Sequence, residues 1–314
     1  MANRESFVHI LFLDGVGLGH PDTNDNPFVR AAMPNLTRLL GDGWYLAGHE
    51  PIYAPHASLM PTDANLGVDG RPQSATGQAT ILTGRNVPQL IGEHYGPKPN
   101  QAVAGVIREG SLFSEVTNAG KRAALITPYP KRYFEAIESG RRLLSAVPLA
   151  ATSAGLPLMG VDDLRVGRAV SPDFTGAGWR DHLGYEAIPI LSLVEAGRRI
   201  ATIAAGYDFS FFEHWPSDQA GHRGTMGEAV AHLETIDAVV GGVIAAWDEA
   251  HGLLIITSDH GNLEEMGQRQ HPRNPVPTIW FGRDHARHAA AVHDLTDIAR
   301  VVRDSLGLPP IANN

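Results

Sequence analysis

Cysteine is absent from the 314 residues. That excludes disulfide staples and thiolate metal ligands, so any metal held here must be bound by carboxylate, imidazole or hydroxyl groups. A cationic surplus is absent too: 34 Asp and Glu stand against 25 Lys and Arg, a formal charge of −9. No nucleic-acid partner is expected of such a chain, although a local basic pocket for one phosphate stays open. Long apolar runs are also missing. No uninterrupted stretch approaches the roughly 20 residues that span a bilayer, so no membrane partner is expected. Arg4 and Glu5 precede an apolar run that is broken by His9 and stops at Asp14, which is not the pattern of a signal peptide. The expected location is cytoplasmic.

What is present suits a globular enzyme. The hydrophobic fraction is 43%, ordinary for a packed core, and the length fits one large domain or one domain with an insertion. There are 15 histidines, a supply that permits a metal site without showing one. Residues 7–13 read as a buried strand that ends in Asp14-Gly15. The glycines at 15, 17 and 19 do not make a dinucleotide fingerprint, because His20 breaks the spacing and Asp14 would repel a pyrophosphate. Residues 34–40 read as a short helix, while residues 49–73 and 86–100 read as loop from their Pro, Gly, Asn and Asp content. Between them, Ser74 lies near a helix start, where it is either an N-cap or a hydroxyl held in the favourable field of the helix.

Alternating strands and helices resume after a less regular middle. Ser192 to Glu195 and Thr225 to Glu228 are capping boxes that open two helices. Strands are expected at 122–128, 207–215, 253–256 and 278–281, and a last helix at 295–305. The expected fold is α/β and doubly wound: a mainly parallel sheet with helices on both faces. Residues 1–128 and 191–314 form the core in this reading, and 129–190 a small insertion or reduced cap.

Ligand-type residues gather at the strand ends. Asp14 follows the first strand, Asp218 and His222 follow another, Asp259-His260 a third, and His271 lies in the next loop. In open α/β sheets, ligands bind beyond the carboxyl ends of the strands. Asp oxygens and His nitrogens there suit divalent ions, and a nearby pair of ions can orient a phosphate and lower the pKa of a hydroxyl. Protons compete with metals for such groups, and free imidazole, with a pKa near ~6.5, is the obvious competitor in the acid range.

At these residues the chain resembles the alkaline phosphatase superfamily, in particular its cofactor-independent phosphoglycerate mutase and phosphopentomutase branch. The matching stretches are Leu13-Asp14-Gly15, Ser74-x-x-Gly77, Asp218-x-x-x-His222, Ser258-Asp259-His260-Gly261-Asn262, and His271 followed by Asn274-Pro275-Val276-Pro277. The resemblance implies an alkaline phosphatase-like fold and two divalent ions, manganese, zinc or magnesium. It implies that Asp218, His222 and His271 hold one ion, and that Asp14, Asp259 and His260 hold the other with Ser74. It makes Ser74 the nucleophile that becomes a phosphoserine, with Thr76 as the alternative. Gln78 departs from the pattern, since those mutases carry His there.

The implied function is metal-dependent phosphoryl transfer on a small phosphorylated metabolite, by a phosphatase, phosphodiesterase or phosphomutase. A non-catalytic metal-binding member of the same fold is the alternative. Arg85, His94, Arg223 and Arg273 are the candidate substrate-binding residues, because charge-assisted hydrogen bonds from such groups suit a phosphate. His285, His288 and His293 read as a solvated surface cluster.

Overall fold

The computed structural model describes residues 6–48 and 50–309, so the signal-peptide reading falls partly outside the described residues. Seven strands form the sheet: β1 (Phe7–Leu13), β2 (Ile52–Tyr53), β3 (Ala57–Thr62), β4 (Ala123–Leu125), β5 (Phe209–His214), β6 (Gly252–Thr257) and β7 (Val276–Gly282). Their order is β2-β3-β7-β6-β1-β5-β4. The neighbours β6, β1, β5 and β4 pair in parallel. β7 runs antiparallel to both β6 and β3, and β2 runs antiparallel to β3.

The sheet is therefore mixed around a parallel centre. Parallel strands need a long crossover, usually a helix. Residues 258–275, between β6 and β7, contain no helix, and β7 returns antiparallel. This direction matters for the site. It brings the start of β7, and the loop with His271 before it, to the same edge as the ends of β1, β3, β5 and β6.

Strand periodicity explains the two faces. Along β1, Val8, Ile10 and Phe12 enter one apolar cluster, and Phe7, Leu11 and Leu13 enter the other. Successive side chains point to opposite faces, so a strand buried on both sides reads as one apolar run. The first face is covered by α2 (Ser74–Thr83), α4 (Gln101–Glu109), α7 (Ala146–Ser153) and α14 (Thr296–Leu306), with α1 (Pro34–Leu40), α10 (Leu193–Ala204) and α12 (Met226–Ala246) on the second. Both expected capping boxes are present, at Ser192 and Thr225.

Several local expectations need correction. The 49–73 stretch contains β2 and β3, and Pro61 is accommodated where it faces Pro277 of β7. The 86–100 stretch contains α3 (Val87–Ile91), capped by Asn86, whose side chain accepts from Gln89 N–H. His288 is buried, its ring near Ser305 Oγ, so it is no part of a solvated cluster. Within residues 129–190, α7 is packed in the main core, whereas Leu164, Trp179 and Ile188 make a small cluster of their own. The remaining helices there are α6 (Lys131–Glu138), α8 (Val161–Arg165) and α9 (Ala177–Asp181); α5 (Leu112–Asn118), α11 (Pro216–Arg223) and α13 (His285–Ala289) complete the set among the described residues.

α12 has the length and composition of a bilayer-spanning helix, with a mean hydropathy of 1.5 over its most apolar window. In the fold it is a core helix: its Leu233, Ile236, Val239, Val240 and Val243 pack under the sheet. Its buried Asp237 caps a neighbour, accepting from the N–H groups of Asn35 at 3.1 Å and Leu36 at 2.8 Å. Met33, which precedes α1, offers no side-chain cap, so Asp237 replaces the missing local one across about 200 residues of sequence. Removing a buried acceptor leaves those donors unmet, at about 1–3 kcal/mol. Asp237→Ala is expected to lower the unfolding free energy by an amount of this size, read as a lower urea midpoint with an unchanged slope; an unmoved midpoint would show that α1 does not depend on this cap.

Candidate metal centre

Segments that follow three strands meet the His271 loop at one sheet edge. Asp14 follows β1, Asp259 and His260 follow the adjacent β6, and Asp218 and His222 lie one turn apart on α11 after β5. Their i, i+4 spacing puts both on one helix face. Close backbone approach makes this possible. Gly15 has φ +68°, and a side-chain carbon there would sit 2.7 Å from Asp218 Oδ1. At Gly77 a side-chain carbon would lie 2.8 Å from Asp259 Cβ, so the glycine three residues after Ser74 lets α2 seat against the end of β6.

Two overlapping groups of ligand-type atoms result: Asp14, Asp259 and His260, and Asp218, His260 and His271. His260 Nε2 lies 3.4 Å from Asp14 Oδ1 and 3.7 Å from Asp259 Oδ1. His222 Nε2 lies 3.4 Å from Asp218 Oδ1 and 3.2 Å from His271 Nε2. The rings of His260 and His271 stack at 3.7 Å, so His260 stands between the two groups. His271 Nδ1 donates to the carbonyl of Pro72 at 2.9 Å, and His260 Nδ1 to that of Gly261 at 3.1 Å. Those bonds leave both Nε2 lone pairs aimed at the centre, the arrangement of ligating imidazoles.

Electrostatics point the same way. Burial, then the neighbouring Asp259, raises the Asp14 carboxyl well above its usual range. Burial, then Asp218, raises Asp259 to about 7. Burial lowers His260 and His271 to about 4 each. Two buried carboxylates side by side require a compensating positive charge, either a proton or a cation. Asp14 Oδ1 is buried without a hydrogen-bond partner. The acceptor-rich Asp and His set, with an orphan oxygen in it, fits a divalent cation.

Ser74 is the first residue of α2, and its Oγ donates to His260 Nε2 at 3.0 Å. Thr76 faces elsewhere: its hydroxyl is bonded to the carbonyls of Gln73 and Tyr95, and its N–H is taken by Tyr95. Geometry thus favours Ser74 over Thr76 as the hydroxyl of this turn that faces the ligand-type residues.

A cleft of about 710 Å³ opens over Ser74, Asp218, His222 and His271. His94 lines it, with Nε2 donating to the carbonyl of Asn65 and its pKa lowered by burial. The other three expected substrate ligands do not line it. Arg85 is paired with Glu109 beyond the far end of α2, about 15 Å along the helix from Ser74. Arg273 donates to the carbonyl of Gly70 and fastens a loop, and Arg223 is exposed at the end of α11. The cationic side chains on the cleft wall are Arg71, whose Nη1 donates to the carbonyl of His271 at 2.6 Å, and Arg269. Sequence reading missed both, although Arg269 lies two residues before His271 and Arg71 three before Ser74.

Two further residues were assigned no role from the sequence, although Asn262 stands in a matching stretch. Asn262 Nδ2 donates to Asp218 Oδ1 at 2.7 Å and orients that carboxylate. Glu264, fully buried, accepts from the N–H groups of Gly17 and Asn262, each at 2.9 Å, and from Asn274 Nδ2 at 3.1 Å. It ties together the loops that carry Asp14, His260 and His271. Its signal in the sequence is a carboxylate two residues beyond the Asp-His-Gly-Asn run, with a glycine at 17 to make room.

Fold and site define an alkaline phosphatase-like α/β protein with a divalent-metal centre. The sequence model of the Metalloenzyme superfamily matches residues 193–310, which include Asp218, His222, Asp259, His260 and His271. The chain resembles 2,3-bisphosphoglycerate-independent phosphoglycerate mutases: it is 31% identical to that of Agrobacterium fabrum over 135 residues, 40% of this chain and 26% of that protein. The second such mutase of Methanosarcina acetivorans is 34% identical over 134 residues, with the same shares. The matched part of the chain therefore spans about a quarter of the length of these relatives. Among solved structures, alkaline phosphatase from the Antarctic bacterium TAB5 aligns over 97% of this chain and 98% of its own, with a TM-score of 0.57 at 10% identity. The C-terminal periplasmic domain of Escherichia coli EptC, solved with zinc, aligns over 99% and 85% with a TM-score of 0.51 at 13% identity. At these identities the likeness is one of fold.

The pKa directions change the expected origin of pH dependence. With His260 and His271 at about 4, the imidazoles are already neutral at pH 6. With Asp259 at about 7, that carboxyl still holds protons there, and Asp14 is shifted in the same direction. An incoming ion must displace those protons, so affinity falls as pH drops below about 7. Calorimetry of manganese binding at pH 6, in buffers of different ionisation enthalpy, is expected to show proton release that shrinks in Asp259→Asn. Release that is unchanged in this variant would return the competition to the imidazoles.

Proposed function

We propose that this protein is a metal-dependent phosphoryl-transfer enzyme that acts on a small phosphorylated metabolite through a phosphoserine at Ser74. The observation that carries the reading is the Ser74 hydroxyl, held 3.0 Å from His260 Nε2 at the floor of the cleft and flanked by both ligand groups. A serine hydroxyl is a weak nucleophile at neutral pH and needs activation. Asp14, Asp259 and His260 would hold one divalent ion beside it, and Asp218, His222 and His271 a second. When bound, such ions, manganese, zinc or magnesium, neutralise phosphoryl oxygens and lower the pKa of a hydroxyl.

The chain's own groups do the rest. Ser74 Oγ takes the phosphoryl group as the ester P–O bond breaks and the alcohol leaves. Arg71 on the cleft wall orients the anionic substrate by charge-assisted hydrogen bonds from a guanidinium already anchored to the His271 carbonyl, whereas His94, whose N–H is held by the Asn65 carbonyl, only shapes the wall. A second acceptor then takes the phosphoryl group from Ser74. Water is the favoured acceptor, because Arg71, Glu93, Arg269 and Gln270 leave the cleft walls exposed to solvent. A hydroxyl of the same substrate, and thus a mutase, is the second reading; the likeness to phosphoglycerate mutases supports it.

Ser74→Ala is expected to fold, keep its Asp and His ligands, and lose turnover by several orders of magnitude. Acid-quenched wild-type protein is expected to carry phosphate on the peptide containing Ser74. In a chase, label released as free phosphate means hydrolase, and label on an isomeric product means mutase. Near-normal turnover in Ser74→Ala would overturn the covalent mechanism. Arg71→Ala is expected to raise KM about tenfold or more with a smaller change in kcat, as measured by steady-state kinetics. An unchanged KM would remove Arg71 from substrate binding.

A further inference from the structure

Gln78 lies one turn along α2 from Ser74, on the same helix face, and is 4% exposed. Its Nε2 donates to Asp259 Oδ2 at 3.1 Å and to Asp14 Oδ2 at 3.4 Å. The other oxygen of each carboxylate, Oδ1, is the one near His260 Nε2, at 3.7 Å for Asp259 and 3.4 Å for Asp14. The amide thus divides each carboxylate into an oxygen that accepts an N–H and an oxygen that faces the imidazole. With both carboxylates ionised, as a bound cation requires, chemistry fixes its orientation: turned over, Oε1 would meet two carboxylate oxygens, and acceptors repel. The chosen orientation leaves Gln78 Oε1 buried without a hydrogen-bond partner. A position that served packing alone would be filled by an apolar side chain, with no buried acceptor left unmet.

We infer that Gln78 is a positioning residue of the metal centre: it holds Asp14 and Asp259 so that each presents Oδ1 to a cation bound with His260. The inference rests on the metal reading given above. A primary amide suits the task because one nitrogen carries two N–H groups, one for each carboxylate, and because it does not titrate. The histidine that stands at this place in the related mutases has one N–H per ring nitrogen, so it cannot serve two acceptors from a single atom. Outer partners of this kind typically change metal affinity about 10- to 100-fold when removed.

The test uses the full chain, stripped of metal and titrated with manganese alone by calorimetry and electron paramagnetic resonance. Gln78→Leu and Gln78→Met keep most of the volume and cannot donate. In each, one of two manganese sites is expected to weaken about 10- to 100-fold and to change its resonance spectrum, while the other site keeps its wild-type affinity. Wild-type protein that binds no manganese would remove the metal reading itself. Wild-type protein that binds two ions, with variants that bind both equally well, would overturn only the role of Gln78. Loss of the fold in both variants, followed by circular dichroism, would also overturn it by making Gln78 a core residue.

Discussion

Asp14 and Asp259 end adjacent parallel strands, are buried side by side, and share the field of Asp218. Burying like charges is unfavourable by several kcal/mol per ion after relaxation, unless a positive charge offsets them. The sheet imposes this proximity, because β1 and β6 are hydrogen-bonded neighbours with a fixed register. The surrounding loops are built to maintain it. Glu264 ties three of them, Asn262 orients Asp218, and Gly15 and Gly77 let backbone approach where a side chain would collide. A fold that holds such a cluster this firmly keeps a place for compensating positive charge, a proton or a cation, at its centre.

Much of this was legible in the sequence, for physical reasons that can be named. β1 and β6 are buried on both faces and therefore read as continuous apolar runs. α10 and α12 announce their starts through capping boxes, and α14 stops at Gly307, which adopts a left-handed conformation. The clustering of Asp14, Asp218, Asp259 and His260 was visible because each follows the end of a strand. What stayed hidden depended on partners distant in sequence. β3 contains Pro61 and a run that shows no alternation, and it is defined by pairing with β7. The reversed direction of β7 was not encoded in its own residues but in the lack of a helix in the connection before it.

Substrate-binding residues were the least legible part. Sequence reading favoured arginines beside ligand motifs, yet proximity along the chain placed Arg223 and Arg273 off the cleft wall. Arg71 lines the cleft because the loop before α2 folds over the His271 loop, a contact across 200 residues. The match to the Metalloenzyme superfamily covers residues 193–310, so Asp14, Ser74 and Gln78 lie outside it. Their place at the centre comes from the sheet, which brings the early part of the chain to the same edge.

Anomalous diffraction from crystals grown with manganese tests the central proposal most directly. Two anomalous peaks are expected, one among Asp14, Asp259 and His260 and one among Asp218, His222 and His271. Absence of both peaks, or peaks only at surface carboxylates, would contradict it.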